Sequence, residues 1–198
     1  MSPRGVAVPD VRQRLFDAAE RVLAAAGPDG LTSRAVTTEA GCAKGLLYNH
    51  FADLDEFVAA LVLDRFRRTA ERVAVLPTLA GRETVAGNLA DAAASMLDAH
   101  APAVAGLAMT RAGVSARIRA AMAAGAPGLG TVEAAIVEYL DAEKGLGRVG
   151  AGVDVGSVAL AIVGTAHHLL MTSWAGGQDP RDALRRLVGA LVGGPAQE

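Results

Sequence analysis

Apolar residues recur every three to four positions along much of the chain, the spacing expected for one face of an α-helix. The first such run covers about Val11 to Ala26. Gly27 and Pro28 end it, because glycine commonly closes a helix and proline cannot continue one. The pattern therefore predicts a first helix over residues 11–26.

Three further helices are predicted before residue 75. Thr32 can cap a second helix, ending at Gly41, by accepting a hydrogen bond from a backbone N–H of the first turn. A tight turn then leads to a short third helix from about Ala43 to Asn49. Asp53 and Glu56 are spaced as a capping box for a longer fourth helix.

The amino-acid composition changes after Pro77 and the polar residues 81–83, where the chain becomes rich in Ala, Gly and Val. We place a domain boundary there, with one domain over 1–75 and a second over 76–198. The second domain is predicted to consist of helices over about 82–100, 102–110, 115–124, 131–144, 155–175 and 180–192. Neither a strand nor an internal repeat is evident. The expected fold class is all-α, with a smaller N-terminal helical domain and a larger C-terminal helical domain.

Composition supports this fold and narrows the function. The chain is 52% hydrophobic but only 4% aromatic, so its core must be built mostly from small aliphatic side chains, which suit close helix packing. The formal net charge is -2, which excludes a generic polyanion binder, because non-specific nucleic-acid affinity needs excess Lys and Arg. Any DNA binding must come from a local surface.

The redox and targeting signals indicate a cytoplasmic protein. Cys42 is the only cysteine, which excludes an intramolecular disulfide and a cysteine-cluster metal site. The N-terminus lacks the apolar core of a secretory signal. Residues 155–178 carry no charge and are long enough to cross a bilayer, but Gly, Ser, Thr and His dilute them and no Lys/Arg cluster flanks them. We expect a buried helix and no membrane contact, with a membrane span as the alternative.

The second and third helices and their turn have the arrangement of a helix-turn-helix, whose second helix enters the major groove. Thr32 and Arg34 are placed to contact phosphate at the start of the second helix. Lys44, Tyr48 and Asn49 can share the outer face of the third helix, and Gly45 allows close approach. His50 lies at its exit and can hydrogen-bond a phosphate. The alternative is a helix-turn-helix shape without nucleic acid, which occurs in many proteins.

The segment from Thr32 to Phe57, TSRAVTTEAGCAKGLLYNHFADLDEF, resembles the N-terminal module of the TetR family of bacterial transcriptional regulators. The resemblance covers roughly residues 11–69 in detail. It implies a homodimer that represses from a pseudo-palindromic operator and releases it when a small apolar or amphipathic effector enters the C-terminal domain. It places Thr32, Tyr48 and His50 near phosphates, and Lys44 and Asn49 near bases or phosphates.

Two positions depart from the family pattern. Ala43 stands where Ser or Thr often caps the recognition helix, and Leu54 stands where Lys often reaches a phosphate. Both departures bear on affinity more than on fold. They support the alternative function, a helical ligand-carrier or interaction protein that has lost DNA binding.

The second domain offers candidates for dimerisation and ligand binding. The helices over 131–144 and 155–175 are predicted to form the dimer interface, through Ile136, Tyr139, Ser157, Ala161, Ile162, Thr165 and Leu169. The alternative is that the second of these helices is the core of the monomer. The candidate ligand-binding residues are Met96, His100, Met109, Met122 and His167, since thioethers suit an adaptable apolar cavity. Methionines at helical spacing are also typical of plain core.

Enzymatic signatures are missing from the sequence. It contains no GxSxG, no phosphate-binding P-loop, no HExxH and no dinucleotide fingerprint. We therefore expect neither catalysis nor a cofactor, and no metal site.

Overall fold

The all-α fold is confirmed. The computed structural model describes residues 11–97, 104, 106–107, 111–172 and 179–192, and within these ranges the chain forms helices and turns with no strand. The helices are α1 (Val11–Ala26), α2 (Ser33–Glu39), α3 (Leu46–His50), α4 (Leu54–Val73), α5 (Val85–Ala94), α6 (Ala112–Ala123), α7 (Leu129–Gly145), α8 (Val155–Thr172) and α9 (Pro180–Val192). The bounds of α1 and α9 coincide with those predicted.

Two compact units make up the chain. The first unit comprises Met1–Val62 and Ala103–Ala120, and the second unit comprises Leu63–Pro102 and Ala121–Glu198. The division assigns residues 103–120 to the same unit as the helix-turn-helix, although more than forty residues separate them from it in sequence. The domain boundary predicted near residue 75 remains a prediction.

The core of the first unit is built on α1. Its apolar stripe is buried because it repeats at helical spacing against α2 and the start of α4. Leu47 of α3 and Val36 of α2 are fully buried in the same core. Other buried residues of this unit include Leu15, Phe16, Ala18, Ala19, Val22, Leu23, Leu31, Phe51, Phe57, Val58 and Leu61.

The core of the second unit lies between α5, α7, α8 and α9. It contains Leu89, Ile136, Leu140, Ile162, Leu184 and Val188, all at or near zero exposure. Helix α9 begins where Asp179 precedes Pro180, since the Asp179 carboxylate accepts a hydrogen bond from the Arg181 N–H at 2.9 Å and proline at the first helical position loses no needed donor.

A polar network is buried within this second core. The Asn88 amide donates to the Tyr139 hydroxyl at 2.9 Å and to the Arg82 carbonyl at 3.0 Å. One turn beyond Tyr139 on α7, the Glu143 side chain is 0% exposed and accepts from the Gly81 N–H at 3.2 Å. The Arg148 guanidinium lies 3.3 Å from the other Glu143 oxygen and donates to the Glu83 carbonyl. The network thereby fastens the turn before α5 to the end of α7.

The buried phenol of this network predicts a loss of stability in alkali. Burial, assisted by the hydrogen bond and negative charge of Glu143, raises the pKa of Tyr139 from 10.0 to about 12. Because the folded-state pKa lies above the unfolded one, the stabilisation is complete below pH 10 and is lost as pH rises towards 12. We expect the free energy of unfolding to fall by about 2 kcal/mol across this window on account of Tyr139.

Urea unfolding at several pH values between 9 and 12 measures this loss, with Tyr139→Phe as the control for all other alkaline titrations. The variant should show a shallower decline than the wild type. Parallel declines would mean that Tyr139 ionises as easily in the folded chain as in the unfolded one.

Helix α8 is mostly apolar and carries no Asp, Glu, Lys or Arg, but it is only partly buried. Among the described helices it is the one long and apolar enough to cross a membrane by length and composition, with a mean hydropathy of 1.5, and 28% of it is buried. The buried residues are Val158, Ala159, Ile162, Val163 and Ala166. They form one side of the helix and pack against α7 and α9, which is how a core helix of a helical domain packs. Helix α8, which the sequence predicted to be buried, is thus only partly buried within a single chain.

Candidate nucleic-acid interface

The start of α2 has the cap predicted from sequence. The Thr32 hydroxyl accepts a hydrogen bond from the Ala35 N–H at 3.1 Å, and Thr32 itself has extended backbone angles. Arg34 is exposed on the first turn of the helix. The remaining N–H groups of this turn, with Arg34 beside them, are suited to bind an anion.

The end of α2 is fixed by a glycine turn. Gly41 has a positive φ of 63°, and the N–H groups of Gly41 and Cys42 return to the carbonyls of Thr38 and Thr37 at 3.1 and 3.0 Å. This pairing is the Schellman motif, which favours glycine because other residues are strained at positive φ. The Arg14 guanidinium of α1 donates to the Ala40 carbonyl at 3.1 Å, so that α1 holds this turn in place.

Helix α3 is shorter than predicted. It begins at Leu46 rather than near Ala43, and it extends to His50. Gly45 occupies the N-cap position and provides no side-chain cap, while Lys44 and Gly45 lie in the turn before the helix. The prediction placed the start of α3 too early because neither Ala43 nor Gly45 has a capping side chain that would mark the first helical residue.

The predicted contact residues share an exposed surface. Lys44, Gly45, Tyr48, Asn49 and His50 are all exposed, whereas Leu47 is fully buried and anchors the helix. Tyr48 is 50% exposed, which is unusual for an aromatic side chain in this molecule. Leu47 thus packs in the core, while the polar residues around it remain exposed to solvent.

The Tyr48 side chain also connects α3 to α2. Its hydroxyl lies 3.1 Å from the Ser33 hydroxyl, and the two form a hydrogen bond. Ser33 was not among the predicted site residues, because no local pattern relates it to a residue fifteen positions later. Two hydroxyl groups and the capped start of α2 therefore lie together beside α3, and each hydroxyl can also bond a phosphate oxygen.

Aromatic packing holds the exit of α3. The Phe51 ring is 2% exposed and contacts the rings of Phe57 and Phe16, with centroids 5.1 and 6.0 Å away. The Arg12 guanidinium lies 4.5 Å from the centroid of the Phe51 ring, a cation–π contact. These contacts fix the position of His50, the residue before Phe51.

The capping box predicted at the start of α4 is present in altered form. Asp53 Oδ1 accepts from the Glu56 N–H at 2.7 Å, as expected. Glu56 Oε2 accepts at 2.6 Å from the N–H of Ala52, one residue before the expected donor.

Two ion pairs also lie at the start of α4. Arg117 Nη2 is 2.7 Å from Asp53 Oδ2, and Arg111 Nη1 is 2.9 Å from Asp55 Oδ1. A Cβ added to Gly113 would lie 2.5 Å from Asp55 Oδ2, so the approach of α6 here uses the small size of glycine. Sequence reasoning missed these contacts because the partners are 56 and 64 residues apart.

The five candidate ligand-binding residues are not brought together among the residues described. Met96 packs in the core of the second unit, Met122 is half-buried and His167 is exposed on α8. His100 and Met109 lie outside the described residues. A cleft of about 190 Å³ is lined by Arg72, Val75, Leu76, Leu79, Asn88, Asp91, Ala92 and Ser95, and none of the five candidates is among them.

The predicted interface requires a correction. Ile136, Tyr139 and Ile162 are at 0% exposure inside the second unit, so they have no surface to offer a second copy. Ser157 is exposed, and Ala161, Thr165 and Leu169 are half-buried. Periodicity did not separate the two faces of α8, because neither face carries Asp, Glu, Lys or Arg.

Comparison with known proteins confirms the resemblance noted from sequence. Residues 15–61 match the family described as bacterial regulatory proteins, tetR family. No curated protein sequence matches the chain significantly. Residues 15–61 are therefore similar to the N-terminal domain of the tetR family.

Solved structures show the same fold over nearly the whole chain. A putative TetR-family transcriptional regulator from Mesorhizobium loti MAFF303099 is 18% identical, with a TM-score of 0.72 and 96% of each chain covered. FadR from Bacillus subtilis, a transcriptional regulator solved in complex with stearoyl-CoA, is 18% identical, with a TM-score of 0.67 and 93% and 99% covered. The reduced form of Escherichia coli NemR is 15% identical, with a TM-score of 0.68 and 95% and 100% covered.

Proposed function

We propose that this protein is a dimeric, ligand-responsive transcriptional regulator of the cytoplasm that acts as a repressor on double-stranded operator DNA. The observation that carries the proposal is the exposed surface of α3 and of the turn before it. There Lys44, Tyr48 and Asn49 face solvent around the buried anchor Leu47. The TetR-type domain over residues 15–61 supports the same conclusion.

The chemistry of this surface suits the major groove. An asparagine amide can pair with the edge of adenine, and a lysine ammonium with the edge of guanine or a phosphate. The hydroxyls of Thr32, Ser33 and Tyr48, together with Arg34 and His50, supply contacts that position the protein on the backbone. Since the chain as a whole is slightly acidic, these local groups must provide the affinity.

We propose α8 as the main dimer contact. The exposed residues of α8 are Ser157, Leu160, Gly164, His167, His168 and Thr172, and Leu160 is 60% exposed. This side of the helix has no Asp, Glu, Lys or Arg and carries an exposed leucine, so it can be buried against another copy. Ala161, Thr165 and Leu169 of the predicted interface border this side.

We place the effector site in the second unit and propose an apolar or amphipathic ligand. The stearoyl-CoA complex of Bacillus subtilis FadR shows that a protein of this fold accommodates such a molecule. Met122 and His167 remain candidate contacts. Met96 lies in the core of the second unit, and we propose a packing role for it.

Alanine substitutions at Lys44 and Tyr48 test the DNA-binding proposal. Each should weaken binding to the operator by about tenfold, because each removes a contact to base or phosphate worth about 1–3 kcal/mol. Tyr48→Phe separates the hydroxyl from the ring. It should lose part of the affinity by breaking the contact to Ser33 and to phosphate.

Fluorescence anisotropy with DNA from upstream of the gene measures these affinities, with a scrambled duplex as the specificity control. Circular dichroism should show unchanged helical content, since Lys44 and Tyr48 are exposed. Equal affinity of the wild type for both duplexes at moderate salt would favour the ligand-carrier alternative. Normal binding by both alanine variants would show that the proposed surface around α3 does not contact DNA.

A further inference from the structure

The segment that follows the recognition helix is strongly acidic. Asp53, Asp55 and Glu56 lie three to six residues after His50. Because three residues span at most about 11 Å, the Cα atoms of His50 and Asp53 are no further apart than this distance. This separation is near the Debye length of about 8 Å at physiological ionic strength. Unpaired carboxylates here would repel DNA.

Two arginines from a distant part of the chain compensate this charge. Arg117 lies 2.7 Å from Asp53 and Arg111 lies 2.9 Å from Asp55. Glu56 is engaged in a different way, by accepting the Ala52 N–H. The two ion pairs therefore offset two of the three acidic side chains at the start of α4.

Both guanidinium groups keep contact with solvent. The side chains of Arg111 and Arg117 are 36% and 41% exposed. A guanidinium has five N–H donors, and in Arg117 the contacts seen are to Asp53 and, at 3.4 Å, to the Gly113 carbonyl. Donors remain that can face a phosphate while the carboxylate holds the group in place.

We propose that Arg111 and Arg117 are determinants of DNA affinity, acting by neutralising Asp53 and Asp55 beside the recognition helix. The carboxylates of Asp53 and Asp55 are thus compensated beside the DNA-binding surface only when residues 111–117 pack against the start of α4. This inference rests on the proposed function, because it assigns further residues to the same DNA-binding surface.

The sign of the effect of Asp53→Asn is the sharpest test. Asparagine is as good an N-cap as aspartate, so the variant should keep the cap of α4 and remove only the charge. With Arg117 no longer compensated, DNA affinity should rise about threefold to tenfold, and binding should become more sensitive to salt. If Arg117 and Asp53 served only to hold the fold together, the same substitution would weaken binding.

The companion variants complete the test. Arg117→Gln should weaken binding about threefold to tenfold by leaving Asp53 unpaired, and Asp53→Asn with Arg117→Gln should return it to within about twofold of wild type. Arg119→Gln removes the same charge from α6 two residues further on. That position points to a different side of the helix, so its effect should stay below about twofold.

The probes are the upstream duplex and a scrambled duplex, each of about 30 base pairs to cover two half-sites, titrated at several salt concentrations, with thermal unfolding as the check on folding. Reduced affinity of the Asp53→Asn variant, or equal losses from Arg117→Gln and Arg119→Gln, would overturn the inference while leaving the proposed function intact. A wild type that binds neither duplex would overturn both.

Discussion

Replacing Glu143 with alanine is expected to lower the free energy of unfolding by about 3 kcal/mol. The carboxylate is fully buried and receives the Gly81 N–H, while the Arg148 guanidinium lies beside it. Alanine would leave the Gly81 N–H without its acceptor and the half-buried Arg148 guanidinium without the carboxylate beside it. It would also leave a cavity between the end of α7 and the turn before α5.

Urea unfolding followed by circular dichroism measures this loss. Glu143→Gln should cost less than alanine, because the amide oxygen can still accept from Gly81 while the charge is lost. Glu138→Ala, on the exposed side of the same helix, is the matched control and should change stability by less than about 0.5 kcal/mol. A similar effect at positions 138 and 143 would show that the network contributes little to stability.

Replacing Leu160 with glutamate is expected to convert the dimer to a monomer, weakening association by about 100-fold or more. Leu160 is the most exposed large apolar residue of α8 among those described. In a symmetric dimer each substitution occurs twice, so two carboxylates would enter one apolar contact. The folded monomer should be preserved, because this side of α8 faces away from its own core.

Sedimentation velocity over a range of micromolar concentrations tests the assembly. Val75→Glu supplies the control, since Val75 is 57% exposed and receives the same charge outside α8. It should remain dimeric. If Leu160→Glu sediments as the wild type does, the second copy does not pack on this side of α8. If the wild type is itself a monomer, the proposed dimer is wrong.

Local signals in the sequence were sufficient for most helices. The bounds of α1 and α9 followed from apolar spacing and from the Asp179–Pro180 start, and the Thr32 cap was found as predicted. The start of α3 was placed about three residues too early. Residues 43–45 contain no side chain able to cap, so the sequence offers no marker for the first helical residue.

Contacts between distant residues were beyond sequence reasoning. The pairing of Asp53 with Arg117 and the burial of Tyr139 depend on how helices pack, and one sequence does not state which faces meet. In α8 neither side carries Asp, Glu, Lys or Arg, so the sequence placed Ile162 at the dimer interface and did not single out Leu160. Only packing places the first in the core and the second in solvent.

In α3 and the residues next to it, the side chains that pack in the core differ from those proposed to contact DNA. This separation has a consequence for how such a protein can evolve. Leu47, and Phe51 just beyond the helix, are fixed by packing, while Lys44 and Asn49 are exposed. Substitutions at those two positions should therefore cost little folding stability. New operator preferences can accumulate there one substitution at a time, without compensating changes in the core.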